Sequence, residues 1–214
     1  MRTRSGVRAG VVAAVAAALA VGLAGCAPVV DEPEPTTSNA GTATKQLGEL
    51  TVAAAASMKG YSRNHFPHWR KTGKNCDVRD SVLQKDGKNI QVSGCNVVGG
   101  SWESVYDGQV LNDPALVDID HVVPLANAWR SGADQWDDSK RGDFANDLTR
   151  PQLVAVSARS NRAKGDQDPS KWKPANRSYW CRYATDWITV KHYWRLTVTS
   201  DEKAALTDML ESCL

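Results

Sequence analysis

The chain has 214 residues and a formal net charge of +2, but Arg2, Arg4 and Arg8 stand in its first 25 residues, and without them the charge is −1. So neutral a balance excludes any argument from global charge for a polyanionic partner; attraction to phosphate must come from a local patch. The absence of a CxxC pair argues against a cysteine-based zinc ribbon. Lys45 to Leu214 is long enough for one core, anchored by all eight tryptophans.

Three arginines followed by the small, apolar run Ala9 to Ala24 read as an export signal. The run is too short and alanine-rich for a permanent span, and Leu23-Ala24-Gly25-Cys26 resembles a bacterial lipobox. The expectation is a signal peptide over residues 1–25 and lipidation of Cys26. The protein would then sit outside the cytoplasm, anchored to the outer face of the bacterial cytoplasmic membrane, or be secreted if Cys26 is not lipidated. Residues 26–44, rich in proline, threonine and acidic side chains, read as a disordered tether, which leaves 45–214 as the folded domain. Four cysteines remain, and an even number outside the cytoplasm points to two disulfides. Local pairing, Cys76 with Cys95 and Cys181 with Cys213, is favoured among the three connectivities formally open.

Along the domain, Tyr61 to Phe66 opens a short helix with Ser62 as N-cap, and Cys76 to Gln84 is a second. Asn89 to Val98 and Ser101 to Val110 read as strands joined by a Gly99-Gly100 hairpin turn, and Leu116 to Asp120 as another strand. Pro124 to Arg130 and Ser139 to Asn146 are expected helices around an aspartate-rich loop. Gln152 to Val156 is a short strand, and Ser157 to Lys164 a helix closed by Gly165. Asn176 to Trp194 has a core-facing apolar stripe with Trp180, Tyr183, Trp187 and Val190. Thr199-Ser-Asp-Glu202 is a capping box ahead of the last helix.

The chemistry concentrates in Asp118-Ile-Asp120-His121-Val-Val-Pro-Leu and in Asn161-Arg-Ala-Lys164-Gly-Asp166. Phosphodiester cleavage needs a base for water, a cation for the developing charge and help for the leaving oxygen. His121 is the candidate base, since neutral imidazole titrates near working pH. Asp120 and Asn161 are hard oxygen ligands suited to Mg2+, or Mn2+, with Asp118 either a further ligand or a solvated acid. In an ideal strand Asp120 and His121 point to opposite faces, so either the strand distorts or Asp120 reaches the metal from its end. Arg162 and Lys164 are candidate phosphate contacts. Arg63 and Arg79 are others, unless they form salt bridges with Asp77 or Asp80.

Asp120-His121-Val-Val-Pro-Leu and Asn161-Arg-Ala-Lys164-Gly-Asp166 resemble the opening and close of the HNH, or ββα-metal, nuclease motif. Tyr61-Ser-Arg-x-x-Phe66, Cys76-Asp-x-Arg79-x-x-Val-Leu83, Ala128-Trp-x-Ser-Gly-Ala133 and Phe144-Ala-Asn-Asp147 extend the likeness, over about Gly60 to Cys213, to secreted actinobacterial HNH-family proteins. The resemblance implies an α+β fold: a ββα-metal core in a single mixed domain with additional helices and a small antiparallel hairpin. It also implies a monomeric endonuclease that uses one divalent cation on nucleic acid, with DNA the expected form. The family's middle asparagine, nine residues before the last ligand, is Gln152 here, so either Gln152 or the nearby Asn146 would orient His121. Where zinc-stapled relatives carry cysteines this chain has Ser157 and Ser160, so no structural zinc is expected. A noncatalytic, surface-anchored binding module that keeps the ββα scaffold is the alternative.

Overall fold

The computed structural model describes residues 37–213, so the signal segment, Cys26 and the first part of the tether lie outside the described residues. In chain order the elements are α1 (Thr37–Glu49), β1 (Lys71–Gly73), β2 (Cys76–Asp77), α2 (Val78–Asp86), β3 (Lys88–Ser93), β4 (Asn96–Glu103) and β5 (Val110–Leu111). They continue with β6 (Val117–His121), α3 (Leu125–Arg130), α4 (Asp138–Ala145), β7 (Leu153–Ser157), α5 (Ala158–Lys164), α6 (Trp180–Trp194) and α7 (Ser200–Leu210). The strands form small antiparallel sheets, β1–β2, β3–β4–β5 and β6–β7, among the helices, so the fold is mixed α and β.

The antiparallel β6–β7 pair separates two apolar clusters. Its register pairs Val117 with Ser157, Ile119 with Ala155 and His121 with Leu153, and successive side chains along each strand alternate between faces. Val117, Ile119, Leu153 and Ala155 pack with Val82, Leu83 and Trp102. Val154 and Val156 turn the other way, into the larger cluster around Phe144, Tyr183 and Trp187. Asp118 and Asp120 share that second face, which α5 covers.

Two expectations are corrected. The tether was taken to run to Thr44, yet the first helix begins at Thr37. Ala43 and Leu47, one turn apart, are buried in the cluster that holds Tyr183 and Leu206, and this burial offsets the weak helix propensity of the threonines and Gly41. The hairpin turn, in turn, is at Gly94-Cys95, where Gly94 has φ +69, and Cys95 is bridged to Cys76. Gly99 and Gly100 lie inside β4 instead. A Cβ on Gly100 would come within 2.7 Å of Ile90 Cδ1 and 2.9 Å of the Trp102 ring, so this glycine serves close packing of an indole rather than chain reversal.

Ser62 and the Thr199–Glu202 box act as read, and α2 carries a capping box that the sequence reading did not pick out. Ser62 caps a single 3₁₀ turn, Arg63–His65; Asp77 and Asp80 form a capping box on α2, and Thr199 and Glu202 another on α7. The Cys181–Cys213 bridge ties α6 to the turn that follows α7.

Candidate active site

Helix α5 starts where Ser157 Oγ accepts the Ser160 N–H and ends at Gly165, φ +56. Within it Asn161 and Lys164, three apart, lie on one face, and that face meets β6. Lys164 Nζ donates to Asp120 Oδ2 at 2.6 Å and to the His121 carbonyl at 2.8 Å. Tyr106 Oη donates to the same Asp120 oxygen at 2.6 Å. Lys164 and Tyr106 are 0% and Asp120 4% exposed. Burial pushes the Asp120 carboxyl up and the Lys164 ammonium down, and the attraction between them opposes both shifts. Lys164 was expected to bind phosphate, and the structure corrects this: it is a buried strut between α5 and the end of β6.

Asn161 Nδ2 donates to Asp118 Oδ2 at 3.1 Å, and both residues are partly exposed. Between β6 and α5 therefore lie the oxygen donors Asp118 and Asp120 of the strand and Asn161 of the helix. Carboxylate and amide oxygens suit a hard cation such as Mg2+ or Mn2+. Among the described residues no group of three or more His, Cys, Asp or Glu side chains is placed to hold a metal, so a cation here depends on the Asn161 amide as well as on carboxylates.

His121 projects from the other face of β6. Its Nε2 lies 2.9 Å from the Ala145 carbonyl, and a carbonyl only accepts, so Nε2 carries the proton and Nδ1 a lone pair in the neutral ring. The indole of Trp69 lies beside it, ring centroids 5.8 Å apart at 32°. The imidazole is 4% exposed, and its pKa is lowered to about 3, chiefly by burial, with Arg63, His68 and Lys164 also opposing a positive charge. A depressed histidine pKa carries a stability signature. Between an unfolded value near 6.5 and about 3 the unfolded chain binds a proton that the folded chain does not, so stability falls as pH drops through that window. Denaturant titrations in EDTA should show a stability difference between wild type and His121→Gln that shrinks by about 1.4 kcal/mol per pH unit below 6.5; a pH-independent difference would contradict the shift.

Neither expected orienting residue touches the imidazole. Gln152 Oε1 accepts the Val123 N–H at 3.0 Å, its Nε2 donates to the Val123 carbonyl at 2.9 Å, and its own carbonyl accepts the Val122 N–H at 2.8 Å. It therefore fixes the chain immediately after His121. Asn146 accepts from the Arg70 N–H at 2.9 Å and donates to Pro67 and Gly142 carbonyls at 2.7 Å each, fixing the segment that carries Trp69. The bond that orients His121 comes from the backbone next to Asn146.

Of the remaining phosphate candidates, Arg63 and Arg162 are exposed. Arg79 is not available in the expected way: its Nη2 donates to the Pro114 and Val117 carbonyls, at 2.9 Å each, and so braces the start of β6. Asp166 receives Nη1 and Nη2 of Arg130 through its carboxylate and its carbonyl, tying α3 to the turn after α5. Ser157 and Ser160 both donate to Asp107 Oδ2, at 2.6 and 2.7 Å. Those hydrogen bonds join the turn after β4 to the start of α5. Sequence reasoning missed Tyr106, Ala145 and Trp69 as members of the site; no local pattern marks Tyr106 or Trp69, and Ala145 acts through its backbone carbonyl.

Residues 74–209 match the family model described as the C-terminal domain of GmrSD restriction endonucleases, a span that contains Tyr106, Asp118, Asp120, His121, Ala145, Gln152, Asn161 and Lys164 and begins just after Trp69. The chain is also 52% identical, over 185 residues, to an uncharacterized secreted protein of Arthroderma benhamiae, a match that covers 85% of this chain and 91% of that protein. No solved structure matches. The match spans well over half of the chain and includes both halves of the site, and the chain belongs to the family of GmrSD restriction endonuclease C-terminal domains.

Proposed function

We propose that this nuclease-family chain is an HNH-type endonuclease that hydrolyses phosphodiester bonds of nucleic acid, with DNA the favoured substrate. The observation that carries the reading is the placement of His121: an imidazole locked as the Nε2–H tautomer by Ala145, adjacent in sequence to Asp120 and held by α5 through Lys164. With Nε2–H engaged, Nδ1 is the atom that takes the proton from an attacking water. Burial keeps the ring neutral at working pH, so no fraction of the base is lost to prior protonation. The negative charge of an incoming phosphate offsets part of that burial effect and raises the basicity of Nδ1 when substrate is present.

Gln152 and Lys164 keep the His121 backbone still from two sides, so the base is positioned before substrate arrives. Asp120 and Asn161, with Asp118 beside them, would hold a divalent cation of the magnesium or manganese class, which when bound supplies charge stabilisation to the scissile phosphate and its leaving oxygen. The exposed guanidinium groups of Arg63 and Arg162 would meet phosphates on either side. Export with a lipid anchor at Cys26 belongs to the same reading, and the two disulfides agree with an oxidising compartment.

The chain without residues 1–25, incubated with supercoiled plasmid and with an RNA transcript in Mg2+ or Mn2+, should convert one of them, and EDTA should stop the conversion. No cleavage of either in any divalent cation would sink the nuclease reading. The low exposure of His121 and the charge compensation of Asp120 by Lys164 favour one second reading, a noncatalytic binding module on the same scaffold. Nucleic-acid binding without cleavage is the outcome that would select it.

A further inference from the structure

Between the 3₁₀ turn and β1 the chain makes a short excursion, Pro67-His68-Trp69-Arg70, that lies outside the span matching the family model. Trp69 adopts φ +59, a left-handed conformation that a bulky side chain rarely takes and that persists only where the surroundings over-determine it. The surroundings are on both sides. Phe66 is 0% exposed, the Pro67 carbonyl and the Arg70 N–H are both bonded to Asn146, and the Arg70 side chain pairs with Asp143 at 2.5 Å and with the Ser139 carbonyl at 3.2 Å. All of these anchors are on α4 or its C-cap. The carbonyl of Ala145, the last residue of α4, also fixes His121. One helix end therefore sets the indole of Trp69 and the imidazole of His121 in a fixed relation.

The rings form a row. Trp69 lies 5.4 Å from His68 and 5.8 Å from His121. It is partly buried, packed against the cluster that contains Val117 and Ile119, and keeps part of its surface in solvent. His68 Nδ1 donates to the Phe66 carbonyl at 2.8 Å, which fixes the His68 ring beside the indole and leaves Nε2 an acceptor in the neutral ring. Arg63 is exposed, and both it and His68 lie close enough to act electrostatically on His121. An aromatic plate with an exposed guanidinium nearby, beside a phosphodiester-cleaving base, is the combination that holds unpaired nucleotides, whose bases stack while the cation follows the backbone.

We infer that Trp69, with Arg63, forms a subsite for one unpaired nucleobase next to the phosphate at which His121 activates water. The inference rests on the nuclease reading above. Trp69 grips the base by stacking, Arg63 binds the adjoining phosphate, and the enzyme therefore favours single-stranded or locally opened substrate over continuous duplex. Because every base has a π-face, the subsite selects for an unpaired base rather than for sequence. Deoxyribose and ribose substrates share this chemistry, so both are included in the test.

The test measures binding of the wild-type chain, in EDTA to prevent cleavage, to a short single-stranded oligonucleotide and to a set of copies in which one position at a time lacks its base. DNA and RNA versions are run in parallel, with Trp69→Ala, Trp69→Leu and Trp69→Phe variants alongside. Wild type should lose about tenfold in affinity when the base is missing at one particular position. Trp69→Leu, which keeps an apolar cover over the core but has no π-face, should bind the intact strand about tenfold more weakly and be indifferent to the missing base. Trp69→Phe should recover part of both effects. A missing-base penalty of the same size in wild type and Trp69→Leu, or no penalty at any position in wild type, would overturn the inference while leaving the nuclease reading intact if plasmid or transcript is still cut. If wild type neither binds nor cuts any nucleic acid, both fall together.

Discussion

His121→Ala should cut its substrate about a hundred to ten thousand times more slowly than wild type, with the loss in kcat and little change in KM. The split follows from position. Nδ1 acts on the attacking water, whereas substrate affinity is assigned to Arg63, Arg162 and Trp69, none of which hydrogen-bonds to the imidazole. The substitution also strips the Ala145 carbonyl of its partner in a buried place, which costs on the order of 1–3 kcal/mol. Rates are therefore compared well below the unfolding temperature of the variant, with circular dichroism as the control. A variant folded like wild type and cutting at the wild-type rate would remove His121 from the chemistry. A rate loss wholly in KM would instead make it a binding group.

What the sequence made legible here is what local chemistry encodes. Ser157 as a cap and Gly165 as a left-handed stop bound α5 from within the segment itself, and the alternation of Val117, Ile119 and His121 against Asp118 and Asp120 anticipates two faces of a strand. The opposed directions of Asp120 and His121 were foreseeable on the same ground. The structure keeps them opposed: the strand is regular through its pairing with β7, and each side chain is received by a different helix, Asp120 by α5 and His121 by the end of α4.

Less legible are contacts between distant positions and those made by the backbone. Tyr106 reaches Asp120 because the turn after β4 packs into the cluster around Tyr183 and Trp187, and the Ala145 carbonyl carries no mark in a one-letter sequence. Gln152 illustrates the intermediate case. Its amide is retained, as the motif requires, but its destination is the backbone of Val123, two residues past the histidine, and the extra methylene relative to asparagine serves that reach. The early start of α1 was hidden for a different reason: Thr37 to Thr44 is poor in side chains that signal burial, and Ala43 becomes a core residue only because α6 and α7 offer it a surface.

Lys164→Met should destabilise the chain by about 3–5 kcal/mol at pH 7, the cost of leaving a buried charge without its counter-ion. Methionine replaces the apolar stem of the lysine, so lost packing contributes little, and what remains is Asp120 at 4% exposure with only the Tyr106 hydroxyl on its Oδ2. Two further measurements separate this from a general packing defect. Adding Asp120→Asn to Lys164→Met removes the stranded charge and should restore most of the lost stability in urea titrations, a coupling that two independent defects would not show. The deficit of the single variant should also shrink as pH is lowered. Burial already raises the Asp120 carboxyl above its ordinary value with the ammonium beside it, and without Lys164 it rises further. The folded variant then takes up a proton at a pH where its unfolded chain does not, so its stability relative to wild type recovers on acidification. If Lys164→Met were as stable as wild type at pH 7, Lys164 would not be bracing β6.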